Sequence, residues 1–211
     1  SDVLGGVMNW AGGYMTLPNM EQIAYQPQYH RRMIEKLGVH VRLGVEVTRE
    51  LVLAEQPDVV VIATGAQPAL PDAEGLDAAL AGGFALTIDQ VLQGAALPDG
   101  PVVVWGAGEG IELALDLVQQ GRTVRLLDAN EKLVPAAYIG SRMGALTRWS
   151  AKAGLASEQG VELVQVSPGS VAIRKDGKAE TIACAALLVA PGRAPYDPLS
   201  QSLLGTGITV Q

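Results

Sequence analysis

PVVVWGAGEGIELALDLVQQGRTVRLLD, residues 101–128, runs from an apolar stretch through a glycine turn and a helical pattern to a second apolar stretch that ends on an acid. Short apolar runs bounded by glycine read as buried strands, and the longer patterned segment between them reads as a helix. Strand, helix and strand in that order make a βαβ unit with parallel strands. Where such a strand turns into its helix, free backbone N–H groups and the positive end of the helix dipole face outward. That is the environment a pyrophosphate needs.

Gly106 and Gly108 take the first two places of a dinucleotide-binding turn, one for the tight bend and one for close approach of phosphate. The third glycine belongs at Ile111 but stands at Gly110, so the helix is expected to start a residue early or to pack less closely on its strand. Asp128 follows Gly106 by 22 residues, at the end of the second strand. A carboxylate there accepts hydrogen bonds from a ribose 2′-OH and repels a 2′-phosphate, which favours NAD(H) over NADP(H). Glu109 and Glu112 open the helix, where acids complement the dipole. A functional reading of Glu112 turns it toward the nicotinamide half of the cofactor. The plain alternative for the whole segment is a βαβ unit whose glycines only tighten the turn.

The 211 residues are 48% hydrophobic, with 25 glycines and one phenylalanine, so aliphatic side chains must fill the core. That texture suits buried parallel strands covered by helices. A net charge of -7 argues against a nucleic-acid or anionic-membrane surface, and the basic run His30 to Lys36 reads as a solvated helix face. Cys184 lies in an apolar stretch, and a single cysteine excludes an intrachain disulfide or a cysteine-ligated cluster within these residues. Neither a signal-peptide pattern nor an apolar run of about 18 residues is read in these residues, and a cytoplasmic location is expected.

Along the chain, residues 18–37 read as a helix interrupted at Pro27 and stopped at Gly38. Strands are expected at 39–43 and 58–63 with a short helix between them. Residues 67–100 read as a connection holding one helix at about 87–93. After Asp128 the pattern predicts a helix from Ser141 to about Gln159 closing on Gly160, then short strands with a hairpin turn at Asp176 and Gly177. The ending VVVIATGAQP (59–68) is echoed by LLVAPGRAP (187–195), which suggests two related α/β units. The expected fold is a Rossmann-like three-layer α/β arrangement, a parallel sheet with helices on both faces and a β-meander, joined to an incomplete second α/β unit. The expected boundaries are 1–97 for the incomplete unit, 98–197 for the NAD(P)-binding unit and 198–211 for a return segment.

Four elements in one order carry a family resemblance: LGG (Leu4 to Gly6), IATGAQP (Ile62 to Pro68), the glycine turn, and APGRAP (Ala190 to Pro195). Together with GVHVRLGVEVTRE (38–50) they make nearly the whole chain resemble flavoproteins with two dinucleotide-binding domains. More closely it is similar to the C-terminal portion of the NADH:flavin oxidoreductases that include 2,4-dienoyl-CoA reductase, trimethylamine dehydrogenase and histamine dehydrogenase. The resemblance implies an oxidoreductase in which electrons pass between NAD(H) and flavin. It also implies an FMN-bearing TIM barrel and a 4Fe-4S segment ahead of an FAD or ADP domain that is interrupted by the NAD(P)H domain.

The first two parts are not among these residues, and the FAD-type unit lacks its own phosphate-binding βαβ. The chain is therefore expected to be a fragment, inactive by itself, whose partners are nucleotide cofactors and the TIM barrel of its parent; homo-oligomerisation is also open. Carried over by position, Gly5 and Gly6 would approach the flavin-side cofactor. Ala63, Thr64 and Gly65 would form the turn beneath it, and Gly192 and Arg193 the second such turn beside the nicotinamide nucleotide. An arginine there could pair with a phosphate.

No acid–base pair, nucleophile or metal spacing appears; His30 and His40 stand alone. That accords with chemistry carried by flavin and nicotinamide. The alternative is a ligand-depleted or ADP-only module that serves structure or electron-carrier docking.

Overall fold

The computed structural model describes residues 2–14, 16, 17, 20–133 and 141–211. After 3-10 turns at Gly6–Asn9 and Met20–Ala24 come α1 (Tyr25–Lys36), α2 (Arg49–Glu55), β1 (Val59–Val60), β2 (Ala66–Pro68), α3 (Leu76–Ala81), β3 (Ala85–Thr87) and α4 (Ile88–Leu92). The quoted stretch then forms β4 (Val102–Trp105), α5 (Ala107–Gln119) and β5 (Val124–Leu127). Beyond it lie α6 (Ser141–Ala153), β6 (Ala156–Glu158), β7 (Glu162–Ser167), β8 (Ser170–Lys175), β9 (Lys178–Ala183), β10 (Ala186–Val189), β11 (Arg193–Pro195), α7 (Ser200–Leu203) and β12 (Thr209–Val210).

Among the described residues, five strands form a parallel sheet in the order β3-β10-β4-β5-β6. The alternation of side chains along β4 divides its core in two. Val102 and Val104 join Leu126 and Leu188 under α5, while Val103 and Trp105 join Leu127 and Leu187 against the antiparallel meander β7-β8-β9 and α3. Because both faces are covered, all four residues of β4 and of β10 are buried. The fold is the expected α/β one, and the Asp176–Gly177 hairpin turn stands where it was read, with both residues at positive φ.

Several elements differ from their expected extent. Pro27 does not interrupt a helix: it is the third residue of α1, where an N–H has no partner within the helix, and the chain changes helix type just before it. The expected strand at 39–43 has no ladder. Val39, Val41, Leu43, Val45 and Val47 keep the alternation of a strand but are 38% to 52% exposed, with no described strand beside them. Of the expected strand 58–63 the ladder comprises β1, paired with β12 of the return segment, and Ile62 N–H adds a bond to the Gln211 carbonyl at 2.8 Å. Residues 85–87, read as connection, are the edge strand β3. The helix begun at Ser141 ends at Ala153, because Gly154 turns at φ +67, and β6 follows where helix was expected.

Candidate nucleotide-binding site

The site is the C-terminal edge of the parallel sheet, where β4 passes through Gly106 into α5. Gly106 has φ +100, and a Cβ there would lie 2.1 Å from the Ala190 carbonyl oxygen. The glycine is thus required by the chain leaving β10 as well as by the bend. At Gly110 a Cβ would lie 3.0 Å from Val104 Cγ1 and 3.1 Å from Ala190 Cβ. The displaced glycine therefore lets helix and strands approach, as the third glycine of such turns does. Helix α5 starts at Ala107, with Gly108 half-buried in its first turn.

Asp128 closes β5 and is 3% exposed. Its Oδ2 accepts a hydrogen bond from the Ala107 N–H. Its Oδ1 accepts two from Asn130, from the backbone N–H at 2.6 Å and from Nδ2 at 2.7 Å. The backbone is equally fixed, since Asp128 N–H donates to the Glu158 carbonyl at 3.0 Å and its own carbonyl accepts from Val161 N–H at 3.0 Å. The carboxylate therefore braces the start of α5 and shapes the loop after β5, while its charge lies beside the turn.

On the other side of β4, the chain leaving β10 turns at Gly192, with φ +94 and open space around it, and delivers Arg193. Arg193 Nη1 and Nη2 donate to Asp89 of α4 at 3.1 and 2.5 Å, and Nε donates to Glu109 at 2.9 Å. These bonds, Asp89 foremost, hold the guanidinium protonated well above its ordinary range against the opposing cost of burial. Trp10 Nε1 donates to Asp89 Oδ1 at 3.4 Å. Beside this cluster a cavity of about 410 Å3 opens, walled by Val7, Tyr14, Ile23 and Ile88 and edged by Glu112 and Arg193.

The two echoed segments meet. Strand β2 pairs antiparallel with β11, so that Arg193 faces Pro68 and Pro195 faces Ala66. Tyr196 N–H donates to the Gly65 carbonyl at 3.0 Å, and the Thr64 hydroxyl donates to the Tyr196 carbonyl. Ala63, Thr64 and Gly65 are exposed. Gly5 and Gly6, at φ +116 and +50, open the first 3-10 turn. There the Leu4 carbonyl and the Asn9 side chain receive hydrogen bonds from Arg31.

A second buried anchor escaped the sequence reading. Asp116 on α5 is 4% exposed, accepts bonds from the Thr16 N–H and hydroxyl at 2.6 Å each, and accepts another from Gln120 at 2.7 Å. It fastens the N-terminal segment to the glycine-turn helix. Nothing in the local text ties Asp116 to Thr16 or Asp89 to Arg193, since those partners lie 100 and 104 residues away. His30 and His40 are exposed, and Trp105 and Cys184 are packed in the core. Among the described residues no group of three His, Cys, Asp or Glu is placed to hold a metal ion, and no helix is long and apolar enough to cross a membrane.

A parallel sheet, a glycine turn feeding a helix and an inward acid closing the next strand coincide with a match of residues 47–209 to the model of the pyridine nucleotide-disulphide oxidoreductases. The chain belongs to that family. Among related oxidoreductases, an NADH oxidase of Thermoanaerobacter brockii is 28% identical over 213 residues, covering 99% of this chain and 32% of the relative. A bilirubin reductase of Mediterraneibacter gnavus (strain CC55_001C) is 32% identical over 131 residues, covering 62% of this chain and 19% of the relative. The solved structure of a 2-naphthoyl-CoA reductase in complex with 2-naphthoyl-CoA superposes over 100% of this chain and 31% of its own, with TM-score 0.82 and 27% identity. Histamine dehydrogenase from Rhizobium sp. 4-9 shares the fold over 100% of this chain and 33% of its own, with TM-score 0.73 and 20% identity. The chain thus spans a third or less of the length of these oxidoreductases.

Proposed function

We propose that this chain is the nucleotide-binding portion of a larger NADH:flavin oxidoreductase, and that it presents NAD(H) to a flavin. The observation that carries the reading is the first turn of α5. It opens at the sheet edge beneath Gly106 with its helix buttressed by Gly110, and has a buried carboxylate, Asp128, on the flank where the second nucleotide strand ends. Helix N–H groups beyond the one held by Asp128, those of Gly108 and Glu109, would meet the diphosphate. The negative charge of Asp128 would disfavour a 2′-phosphate, which argues for NAD(H) over NADP(H). Asp128 as it stands braces Ala107, so its proposed part in choosing the cofactor is electrostatic first.

A bound nicotinamide would supply hydride chemistry opposite a flavin; the residues here would orient and shield it, and none is asked to transfer a proton. Gly5, Gly6 and the Ala63–Gly65 turn are proposed to face the flavin-side FAD or ADP, with Gly192 and Arg193 on the nicotinamide side. FMN and a 4Fe-4S cluster are proposed for the remainder of a parent that resembles the dienoyl-CoA reductase group. The row of exposed valines and leucine at 39–47 supports such a larger body, because a strand pattern of that kind is made to be covered.

Titration calorimetry of the chain with NADH, NADPH and ADP tests the reading. NADH and ADP are expected to bind weakly, and NADPH at least about fivefold more weakly than NADH. Absence of any heat with NADH and ADP would remove the assignment and favour the ligand-depleted structural module; heat with ADP that NADH does not improve upon would favour the ADP-only one.

A further inference from the structure

The sheet order gives the site a direction. A dinucleotide whose diphosphate lies at the start of α5 places its adenosine on the β5 side, where Asp128 stands, and its other half on the β10 side. On that second side the chain presents Arg193 and the 410 Å3 cavity. Arg193 is not a free cation offered to phosphate. Both prongs of its guanidinium are taken by Asp89, its Nε by Glu109, and its side chain is 22% exposed against 20% for Asp89 and 33% for Glu109.

We propose that Asp89 is a positioning residue: through its two-pronged bond to Arg193 it holds that guanidinium against Glu109, and so fixes the wall that meets the nicotinamide half of the cofactor. Four segments far apart in the chain converge on this one knot. Trp10 comes from the end of the first 3-10 turn, just past Asn9, Asp89 from α4, Glu109 from the first turn of α5 and Arg193 from the ribbon β2–β11. A fork of two parallel N–H···O bonds fixes orientation as well as distance, which a single contact does not. With Asp89 removed, Arg193 keeps Glu109 but loses the fork that aims it, and Trp10 loses its acceptor. The adenosine side, held by Asp128, Asn130 and Glu158, shares no bond with the knot.

The inference rests on the proposal that NAD(H) spans the glycine turn, and the test separates the two. Calorimetry with NADH and with ADP is run on the wild-type chain and on Asp89→Ala, Asp89→Glu and Arg193→Lys, each checked by circular dichroism and thermal melting. Loss of the fork is expected to weaken NADH about tenfold in Asp89→Ala while ADP changes less than about twofold, a charged hydrogen bond of this kind being worth about that much. Asp89→Glu, which keeps the charge, is expected to recover most of the loss, and Arg193→Lys, which keeps the cation but not the fork, to resemble Asp89→Ala. Should Asp89→Ala not fold, Arg193→Lys against wild type carries the same comparison. Equal losses for NADH and ADP, or unchanged NADH affinity in the folded variants, overturn the positioning role alone. A wild-type chain that binds neither ligand overturns the nucleotide reading and this inference with it.

Discussion

The carboxylate of Asp128 accepts a hydrogen bond from the backbone N–H of Ala107, joining the end of one sheet strand to the start of the helix that leaves its neighbour. One acid thus serves as helix brace and as local charge. Asp128→Ala strips a buried acceptor from Ala107 and from both donors of Asn130, so urea unfolding is expected to show a loss of about 1–3 kcal/mol or more. In a variant still folded at low temperature, preference for NADH over NADPH should shrink. A stability unchanged within about 0.5 kcal/mol would mean that the brace is made in some other way.

Gly106→Ala is expected to abolish folding or to cost more than about 3 kcal/mol. Two penalties coincide there: a positive φ, and a methyl group driven to 2.1 Å from the Ala190 carbonyl oxygen. Gly192→Ala meets the first penalty without the second, since the space around it is open, and should cost only about 1–2 kcal/mol. Chemical denaturation of both variants checks the contrast; equal costs would show that backbone conformation alone matters.

The pair Asp116 and Thr16 offers a cleaner energetic test. Thr16→Val keeps the shape of the side chain and leaves the backbone N–H bond, but removes the hydroxyl donor to a buried carboxylate, at an expected cost of about 1–3 kcal/mol. A double-mutant cycle with Asp116→Ala should return a coupling of about 0.5–3 kcal/mol, because the two residues are in direct contact. Additive effects would show that the hydroxyl bond adds nothing, leaving the N-terminal segment held by the Thr16 backbone N–H bond and by the buried Tyr14, Leu17 and Met20.

Burial pushes the Cys184 thiol up to about 11 from an ordinary 9.0. Below pH 9 the thiol is neutral folded or unfolded and contributes no slope. Between about 9 and 11 only the unfolded chain releases the proton, so this contribution to stability falls as pH rises. Melting temperature should decline across that window less steeply in Cys184→Ala than in the wild type. At pH 8 the native thiol should resist alkylation until the chain is unfolded.

These residues also mark what could be read without coordinates. The strand, turn, helix and closing acid of residues 101–128 were legible because each of those signals is local: apolar runs, glycine, helical spacing, terminal acid. The row from Val39 to Val47 carries an equally regular alternation and yet forms no ladder, because pairing depends on a neighbour that the pattern cannot supply. Strand β3 was missed because Ala85 to Thr87 runs straight into the capping box of α4, where Thr87 and Gln90 exchange hydrogen bonds, and the helix signal masks three strand residues. Gly110 looked misplaced by spacing and is apt by contact. Arg193 was found by resemblance, but its acids were not, since nothing in a linear text links position 193 to position 89.

Strands β2 and β11, far apart in the chain, lie side by side and antiparallel with their backbones bonded to each other. That three-residue ribbon ties the chain ahead of α3 to the chain leaving β10, so a shift of one is passed to the other. Arg193 belongs to that ribbon and is bonded to Asp89 and Glu109, so the side chain that borders the cavity also fastens the ribbon to α4 and α5.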